Sequence, residues 1–498
     1  MDYSQFLAMK QEIGLLVLFL VVFIYDIFMP ARAAKALPGV TAAGLLILTV
    51  AGFFPCLLGC PSDEAISVFG GMYVNSPIIT AIKGILNIGV FIVLIQSIKW
   101  ANSEGMAMRR GEFYDLLLVT LFGMYLMISA RHFLLFVIGL ESASLPLAAM
   151  VALDKSRYES REAAIKYMMT AIFSSAVFMM GLSFVYGLTG SLFFNDIYFT
   201  LALGEGVNAL LILAMILVIG GIGFKLSLVP FHLWTADVYQ GAPTSVTSYL
   251  SVISKGAAAF AFMVILAQAF GCIYEQVWEW MLYAIIILTI TIGNLFAIRQ
   301  RNMKRFLAFS SISQAGYIML GIIADNVMGS AAMMYYIFVY IFSNLAAFGV
   351  AQAVENQSGK ISIDDYRGMS KSNPALAFCM MLAMFSLAGI PPFAGFFSKF
   401  FIFTAAINQG SIEIYVLVLI ALINTIISLF YYLLVVKSMY ITPGEPVVAR
   451  FKSAWSERLG LIITVGGIIA LGICSCVYNW LLSTAAQSEF LSIFTRSI

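Results

Sequence analysis

The sequence has very few charged residues: Asp, Glu, Lys and Arg make up 10% of its 498 side chains, whereas 62% are hydrophobic. Soluble domains carry about 25% charged and about 45–50% apolar residues, so a soluble protein is excluded. A formal net charge of only +2 leaves no broad basic surface, and no nucleic-acid partner is expected. At about 20 apolar residues per crossing, the chain accommodates more than ten membrane helices and no soluble catalytic domain.

Cysteine is also scarce, and its spacing excludes further classes. The six cysteines include no CxxC pair, so the usual ligand patterns of iron–sulfur clusters and structural zinc are missing. We expect no cofactor and no metal in this chain. Cys56 and Cys60 are predicted to be free and buried rather than paired. The N-terminus lacks the basic start and cleavage site of a signal peptide, so the first helix is expected to stay in the mature protein.

Long apolar runs bounded by Gly, Pro and charged clusters predict an all-α polytopic membrane protein. We expect about 14 spans, numbered in chain order, near 12-29, 37-57, 78-98, 112-129, 131-152, 162-187, 207-229, 243-269, 277-298, 304-323, 329-354, 373-403, 411-437 and 458-480.

The basic residues predict the orientation of these spans. Odd-numbered connections hold 19 of the 27 lysines and arginines, although the second and sixth connections are among the longest. By the positive-inside rule the odd connections are cytoplasmic and both termini lie outside. Five basic residues remain within the spans themselves and need an explanation: Lys83, Lys166, Lys225, Lys255 and Lys399.

A match between two spans indicates an internal repeat. Span five, RHFLLFVIGLESASLPL from Arg131, matches span ten, KRFLAFSSISQAGYIML from Lys304, in a register that places Glu141 opposite Gln314. The two copies are offset by five spans, an odd number, so they run in opposite directions, as in many transporters. The predicted parts are an N-terminal three-helix segment, 1-111, two inverted five-helix repeats, 112-270 and 271-440, and a C-terminal helix and tail, 441-498.

Proline interrupts corresponding spans of the two repeats. Span seven is broken at Pro230, and span twelve at Pro391 and Pro392. Proline removes a backbone donor, and the freed carbonyls must be satisfied by protein or water within the membrane. Two such breaks, each with a lysine nearby, favour a hydrated functional site over a packing kink.

Four charged residues lie deep in the membrane by their position along the spans: Glu141, Lys225, Lys255 and Lys399. Each costs at least about 2.5–3.5 kcal/mol at the bilayer centre, so such residues face the bundle interior, a partner or water. Because burial brings carboxyl and amine groups toward titration near neutral pH, the pattern predicts a proton relay rather than static ion pairs. Glu141 and Lys225 are expected to form a pair that switches when Lys225 moves away.

Three further residues are interpreted individually. His232 would share the face of Lys225 if span seven continued as a helix, and imidazole titrates near neutrality. Lys166 lies early in span six, where relay and snorkelling are both open. Lys83 lies near the outer boundary and is interpreted as snorkelling to the headgroups.

These motifs resemble the antiporter-like membrane subunits of respiratory complex I, the proton-pumping NADH:quinone oxidoreductase. The matches are LESASLPL, SREAAIKYMMTAIFSSA, GIGFKLSLVPFHLWTADVYQGAPTSVTSYLSVISKGA, KRFLAFSSISQAGYI and LAGIPPFAGFFSKF, which cover about half of the chain. The resemblance implies two inverted five-helix repeats around a polar axis. It also implies proton-relay roles for Glu141, Lys166, Lys225, His232, Lys255 and Lys399.

Lysine at position 399 differs from the glutamate usual in the M-type subunit, and the chain has no room for the lateral helix of the L-type, which selects the N-type. The resemblance implies a non-redox subunit of a translocase in a bacterial inner membrane. NADH, FMN, iron–sulfur clusters and quinone are then expected in other subunits, and other antiporter-like subunits are expected as partners. Two alternatives stay open: a subunit of a multisubunit cation/proton antiporter, and a non-transporting membrane scaffold.

Overall fold

The computed structural model describes residues 3–29, 33–53, 65–204, 206–474 and 476–487. These residues are almost entirely helical, which confirms the predicted all-α membrane fold. Eleven helices in these ranges are long and apolar enough to cross a membrane. The number of 14 spans stays a prediction, and the prediction for Cys56 and Cys60 falls outside the described residues.

The N-terminal part contains three long helices, together with a 3-10 helix and a two-stranded hairpin that the sequence did not predict. The helices are α1 (Lys10–Phe28), α2 (Leu37–Phe53) and α3 (Pro77–Ala101). A 3-10 helix, Tyr3–Met9, precedes α1, and the antiparallel strands β1 (Ile66–Val68) and β2 (Tyr73–Asn75) precede α3. The hairpin contacts the start of the chain, because the amide of Phe69 donates to the side chain of Gln5.

The first repeat follows, and its seventh span is broken as predicted. Its helices are α4 (Arg110–Ser129), α5 (Phe133–Val151), α6 (Tyr158–Thr189), α7 (Phe194–Leu203), α8 (Ala209–Leu226), α9 (Leu233–Gly241), α10 (Thr244–Tyr249) and α11 (Lys255–Phe270). A π-helical turn, Leu250–Ser254, joins the last two. The short α7 was not predicted, because ten residues are too few for a span.

The second repeat contains the other break. Its helices are α12 (Glu279–Ile298), α13 (Met303–Ile323), α14 (Val327–Ser358), α15 (Met369–Ser372), α16 (Pro374–Ala388), α17 (Ala394–Ile407) and α18 (Ile412–Tyr440). The C-terminal part adds α19 (Trp455–Ile473) and α20 (Cys476–Gln487). Helices α13 and α14 are almost wholly buried and therefore form the centre of the bundle.

The two repeats share local structure as well as order. Helices α6 and α14 each have 32 residues, and each ends at a glycine in the left-handed conformation, Gly190 and Gly359. Glycine stops both helices because it adopts positive φ without a Cβ penalty. The boundaries 111, 270 and 440 of the predicted parts remain predictions.

The register proposed between the repeats is wrong by three residues. A backbone bond joins the residues before α5 to the start of α7: the amide of Phe194 donates to the carbonyl of Arg131. The matching bond in the second repeat runs from Ile363 to Arg301, not to Lys304. Glu141 therefore corresponds to Ser311 rather than to Gln314. Phe and Leu matches recur in any apolar helix, so they determine register poorly.

Candidate functional site: a line of buried lysines

Lys225 lies at the end of α8, where the broken span leaves the helical conformation at Ser227, with φ 61°. Its side chain is 4% exposed. The amine donates to the hydroxyl of Ser144 at 2.7 Å and to that of Tyr167 at 3.4 Å. The break thus places a lysine against two hydroxyl groups on the neighbouring helices α5 and α6.

Glu141 lies one helical turn before Ser144 and is half-buried. No ion pair within 4.0 Å joins Glu141 to Lys225, both of which are described. The expected direct pair is not formed in this conformation, in which the amine donates to the hydroxyls of Ser144 and Tyr167 instead. Glu141 and Ser144 are three residues apart on α5 and therefore lie on the same side of this helix.

His232 is buried in the segment that joins α8 to α9. The condition under which it would share the face of Lys225 is not met, because the helix ends at Leu226. Trp234 and Tyr239 of α9 form a row of aromatic rings with Tyr167 of α6. The rings of Tyr167 and Trp234 lie 5.2 Å apart, and those of Trp234 and Tyr239 lie 6.3 Å apart. This row leads from the first lysine toward the second.

Lys255 begins α11, directly after the π-helical turn. It is 2% exposed, and its amine donates to the hydroxyl of Ser311 on α13 at 2.6 Å. The amine also lies 5.5 Å from the ring centroid of Tyr239, a cation–π distance. Local π-helix is common at functional sites, since it reorients the side chains that follow it.

Lys399 lies on α17, after the second break. It is 5% exposed, and its amine donates to the carbonyls of Leu387 and Ala388 at 3.2 and 3.0 Å. These carbonyls end α16 and lack helical partners because the helix stops there. The ring centroid of Tyr317 lies 5.1 Å from the amine. The lysine therefore satisfies the backbone that the proline break releases.

One face of α13 connects the second and third lysines. Gln314, one turn after Ser311, donates to the carbonyl of Leu387 at 3.3 Å, the same oxygen that accepts from Lys399. Its own carbonyl accepts from the hydroxyl of Tyr336. A cavity of about 10 Å³ next to Lys399 and Gln314 has room for about one water molecule.

Lys166 is 42% exposed and is not part of this line. It pairs with Glu162 and Asp237, each at 2.7 Å, and Asp237 also pairs with Arg305 at 2.7 Å. The position of Lys166 along its span could not reveal this exposure, because the exposure depends on which face of α6 packs against α8 and α9. Lys166 belongs to a charged cluster at one end of the bundle.

The same end contains a charged residue that sequence reasoning missed. Glu355 on α14 pairs with Arg157 at 3.0 Å and with the buried Lys304 at 3.3 Å. It also accepts from the hydroxyl of Thr244, which starts α10. The sequence analysis did not single out Glu355, since nothing in the local sequence links it to Lys304. A polar cavity of about 270 Å³ opens beside it.

The interpretation of Lys83 as a snorkelling residue is wrong. Its side chain is fully buried, and its amine lies 2.5 Å from Glu12 Oε1, on α1. The rings of Tyr73 and Tyr125 lie 5.4 and 5.3 Å from the amine. The unpredicted hairpin brings Tyr73 over this end of α3 and covers the lysine.

Comparisons with known proteins place this chain in a class. Residues 130–428 match the family profile "NADH:quinone oxidoreductase/Mrp antiporter, TM". The structure of respiratory complex I from Thermus thermophilus with bound aureothin contains a chain that is 29% identical, with a TM-score of 0.75, covering 93% of this chain and 97% of that one. Fold and site thus define an antiporter-like membrane protein.

Two relatives narrow the class. The NADH-quinone oxidoreductase subunit N of Phocaeicola vulgatus is 50% identical over 97% of this chain and 100% of its own length. That of Nitrosomonas europaea is 37% identical over 93% of this chain and 94% of its own. The chain belongs to the NADH:quinone oxidoreductase/Mrp antiporter family, and within it to the N-type membrane subunits of complex I.

Proposed function

We propose that this chain is a proton-translocating membrane subunit of an NADH:quinone oxidoreductase and that its buried lysines relay the proton. The arrangement of Lys225, Lys255 and Lys399 supports the relay. All three are at most 5% exposed, and none has a carboxylate within 4.0 Å among the described residues. A static structural role would favour paired charges, because an unpaired buried charge is costly.

The relay has distinct parts in this proposal. Glu141 and Lys225 act as the switch, and Lys255 and Lys399 carry the proton onward. His232 lies between the first two lysines along the chain and serves as a further titratable group. Lys166 acts in the charged cluster at the end of the bundle, where proton uptake from the cytoplasm would begin.

The assembled complex supplies what this chain lacks. We propose that NADH, FMN, iron–sulfur clusters and quinone bind to other subunits, and that the chain itself catalyses no redox step. Among the described residues no group of three or more His, Cys, Asp or Glu could hold a metal ion. Its partners would be other membrane subunits, including antiporter-like ones, in a bacterial inner membrane with both termini outside.

A role in a cation/proton antiporter is the alternative. A chain of the Mrp complex from Dietzia has a TM-score of 0.81 but is only 20% identical, so this likeness concerns the fold alone. The relatives at 50% identity are subunits of the oxidoreductase by name. We therefore favour the oxidoreductase.

The relay is tested by Lys399→Arg in the assembled complex. Arginine keeps the charge and the donors to the two carbonyls, but it cannot be deprotonated in proteins. We expect proton pumping into inverted vesicles, measured per electron transferred to quinone, to fall at least tenfold. Pumping at the parent rate would show that a fixed positive charge suffices and would end the relay role of Lys399.

Lys360→Arg is the matched control. The amine of Lys360 also donates to a backbone carbonyl, that of Val447, but it lies in a connection outside the helices. Because only Lys399 is proposed to exchange a proton, Lys360→Arg should pump normally. Loss of pumping in both variants would indicate a general intolerance of arginine.

A further inference from the structure

A groove separate from the lysine line lies where the connection between α18 and α19 crosses the ends of two helices. Its volume is about 690 Å³. One wall is the start of α16, the other is the start of α19, and the floor includes the segment 450–453. These connections are rich in basic residues and are predicted to be cytoplasmic.

The groove is held open by a specific side chain. Asn373, which precedes α16, donates to the carbonyl of Ala449 at 3.0 Å. Its side-chain carbonyl accepts from the amide of Phe451 at 3.1 Å. These two bonds fix the segment against α16, so the groove is a built feature of the fold rather than a gap beside a loose loop.

Three cations line this groove: Arg450, Lys452 and Arg458. All three are exposed, and the lining contains no Asp or Glu. None of them has an acidic partner within 4.0 Å in the described part of the chain. The neighbouring Glu457 is occupied, because it pairs with Lys99 at 3.3 Å and caps α19.

Apart from Ser372, Asn373 and Ser453, the rest of the lining is apolar and follows the two helices away from the cations. Leu376 and Cys379 lie on successive turns of α16, and Leu461 and Ile462 lie on the second turn of α19. Ile462 is 68% exposed although it lies on a membrane helix. Trp455, which is 75% exposed, begins α19, at the depth where tryptophans mark the membrane interface.

We propose that this groove binds one anionic phospholipid of the cytoplasmic leaflet. The guanidinium groups of Arg450 and Arg458 and the amine of Lys452 hold the phosphate, since charge-assisted bonds to phosphate are strong and arginine offers paired donors. An acyl chain lies along Leu376, Leu461 and Ile462. Basic pockets between membrane helices on this side are typical headgroup sites.

A free inorganic anion would use only the basic rim and would leave the apolar part of the groove empty. A lipid fills both parts at once. An acidic segment of a neighbouring subunit is the other occupant to be tested, because it would satisfy the cations as well. The apolar wall, which continues beyond the first turn of both helices, favours the lipid.

The test uses the full chain in nanodiscs of phosphatidylcholine with about 20% phosphatidylglycerol, which is the anionic lipid that serves as the probe. Native mass spectrometry after detergent release measures phosphatidylglycerol retained per chain. The variant carries Arg450→Gln, Lys452→Gln and Arg458→Gln. The control carries Lys155→Gln, Arg299→Gln and Lys437→Gln, which remove the same charge from other connections that are predicted to lie on this side.

We expect the parent and the control to retain phosphatidylglycerol and the groove variant to retain at least fivefold less. Equal retention by variant and control would overturn the proposal. Retention that 50 mM inorganic phosphate abolishes would assign the rim to free anions instead, at a concentration set well above a weak millimolar affinity. If the triple variant does not fold, the single variants Arg450→Gln and Arg458→Gln, each compared with Arg299→Gln, decide the same question, and retention equal to that of Arg299→Gln in both would overturn the proposal. In the assembled complex, a crosslink from Lys452 to a neighbouring subunit with no retained lipid would likewise refute it.

Discussion

The buried pair of Glu12 and Lys83 makes a sharp prediction about stability. The pair joins α1 to α3, and the two side chains are 2% and 0% exposed. Lys83 also donates to the hydroxyl of Tyr73 at 3.3 Å, whereas the second carboxylate oxygen of Glu12 has no hydrogen-bond partner in the described residues. Removing either partner leaves the other charge buried and alone.

The expected free energies follow from that geometry. Breaking a buried ion pair from one side costs about 3–5 kcal/mol, because the remaining charge is uncompensated. We therefore expect Glu12→Gln and Lys83→Met each to lower the free energy of unfolding by about that amount. The double variant should lose far less than the sum, since replacing both charges with neutral groups is often close to neutral.

The assay is equilibrium unfolding of the full chain in mixed micelles with increasing denaturing detergent, followed by loss of helical signal. A snorkelling lysine would behave differently: surface replacements usually change stability by less than about 0.5 kcal/mol. Small and additive effects of the two single variants would therefore refute the buried pair. A strong coupling between them would support it.

Two further predictions concern other parts of the fold. Gly395 lets α17 pass close to α16: an added Cβ would lie 1.7 Å from the carbonyl oxygen of Ser386. Gly395→Ala should therefore lower the thermal midpoint markedly, whereas Gly187→Ala, whose Cβ would meet nothing within 4 Å, should leave it unchanged or higher. Burial and the carboxylates of Glu279 and Glu275 raise the pKa of Asp325, between α13 and α14, to about 7. Because the folded chain then binds this proton more tightly than the unfolded chain, stability should fall as pH rises from about 4 to about 7. Asp325→Asn should flatten that dependence in unfolding curves at several pH values, and an unchanged slope would contradict it.

Some of the site could be predicted because it depends on position along a helix. A residue ten positions into a span lies about 15 Å from its start, so the depth of Lys225, Lys255 and Lys399 was available from the sequence. The two proline breaks were equally visible. The contacts of the lysines could not be predicted, because the partners are distant in sequence: Ser144 is 81 residues from Lys225, and Ser311 is 56 residues from Lys255.

Other parts failed for physical reasons of the same kind. Lys83 is near a helix end, and a lysine there usually reaches the headgroups. Here the lysine is buried instead, because the hairpin before α3 covers it and Glu12, 71 residues earlier in the chain, pairs with it. No local sequence pattern indicates either contact. The exposure of Lys166 likewise depends on how α6 packs, which the hydrophobic run of a membrane helix does not reveal because lipid and protein are both apolar.

Lys225, Lys255 and Lys399 differ in the groups that accept hydrogen bonds from their amines, and this difference bears on how a relay would work. Serine hydroxyls hold Lys225 and Lys255, and a hydroxyl can reverse its hydrogen bond and donate to a neutral amine. Two backbone carbonyls hold Lys399, and a carbonyl can only accept. A proton can therefore leave either of the first two lysines without a change of partner. A neutral Lys399 amine keeps two N–H groups, which can still donate to both carbonyls, but neither carbonyl carries a proton to give back to it. In the proposed relay, the step at Lys399 is therefore the one that needs a partner beyond its present ones, and the small cavity beside it has room for about one water molecule.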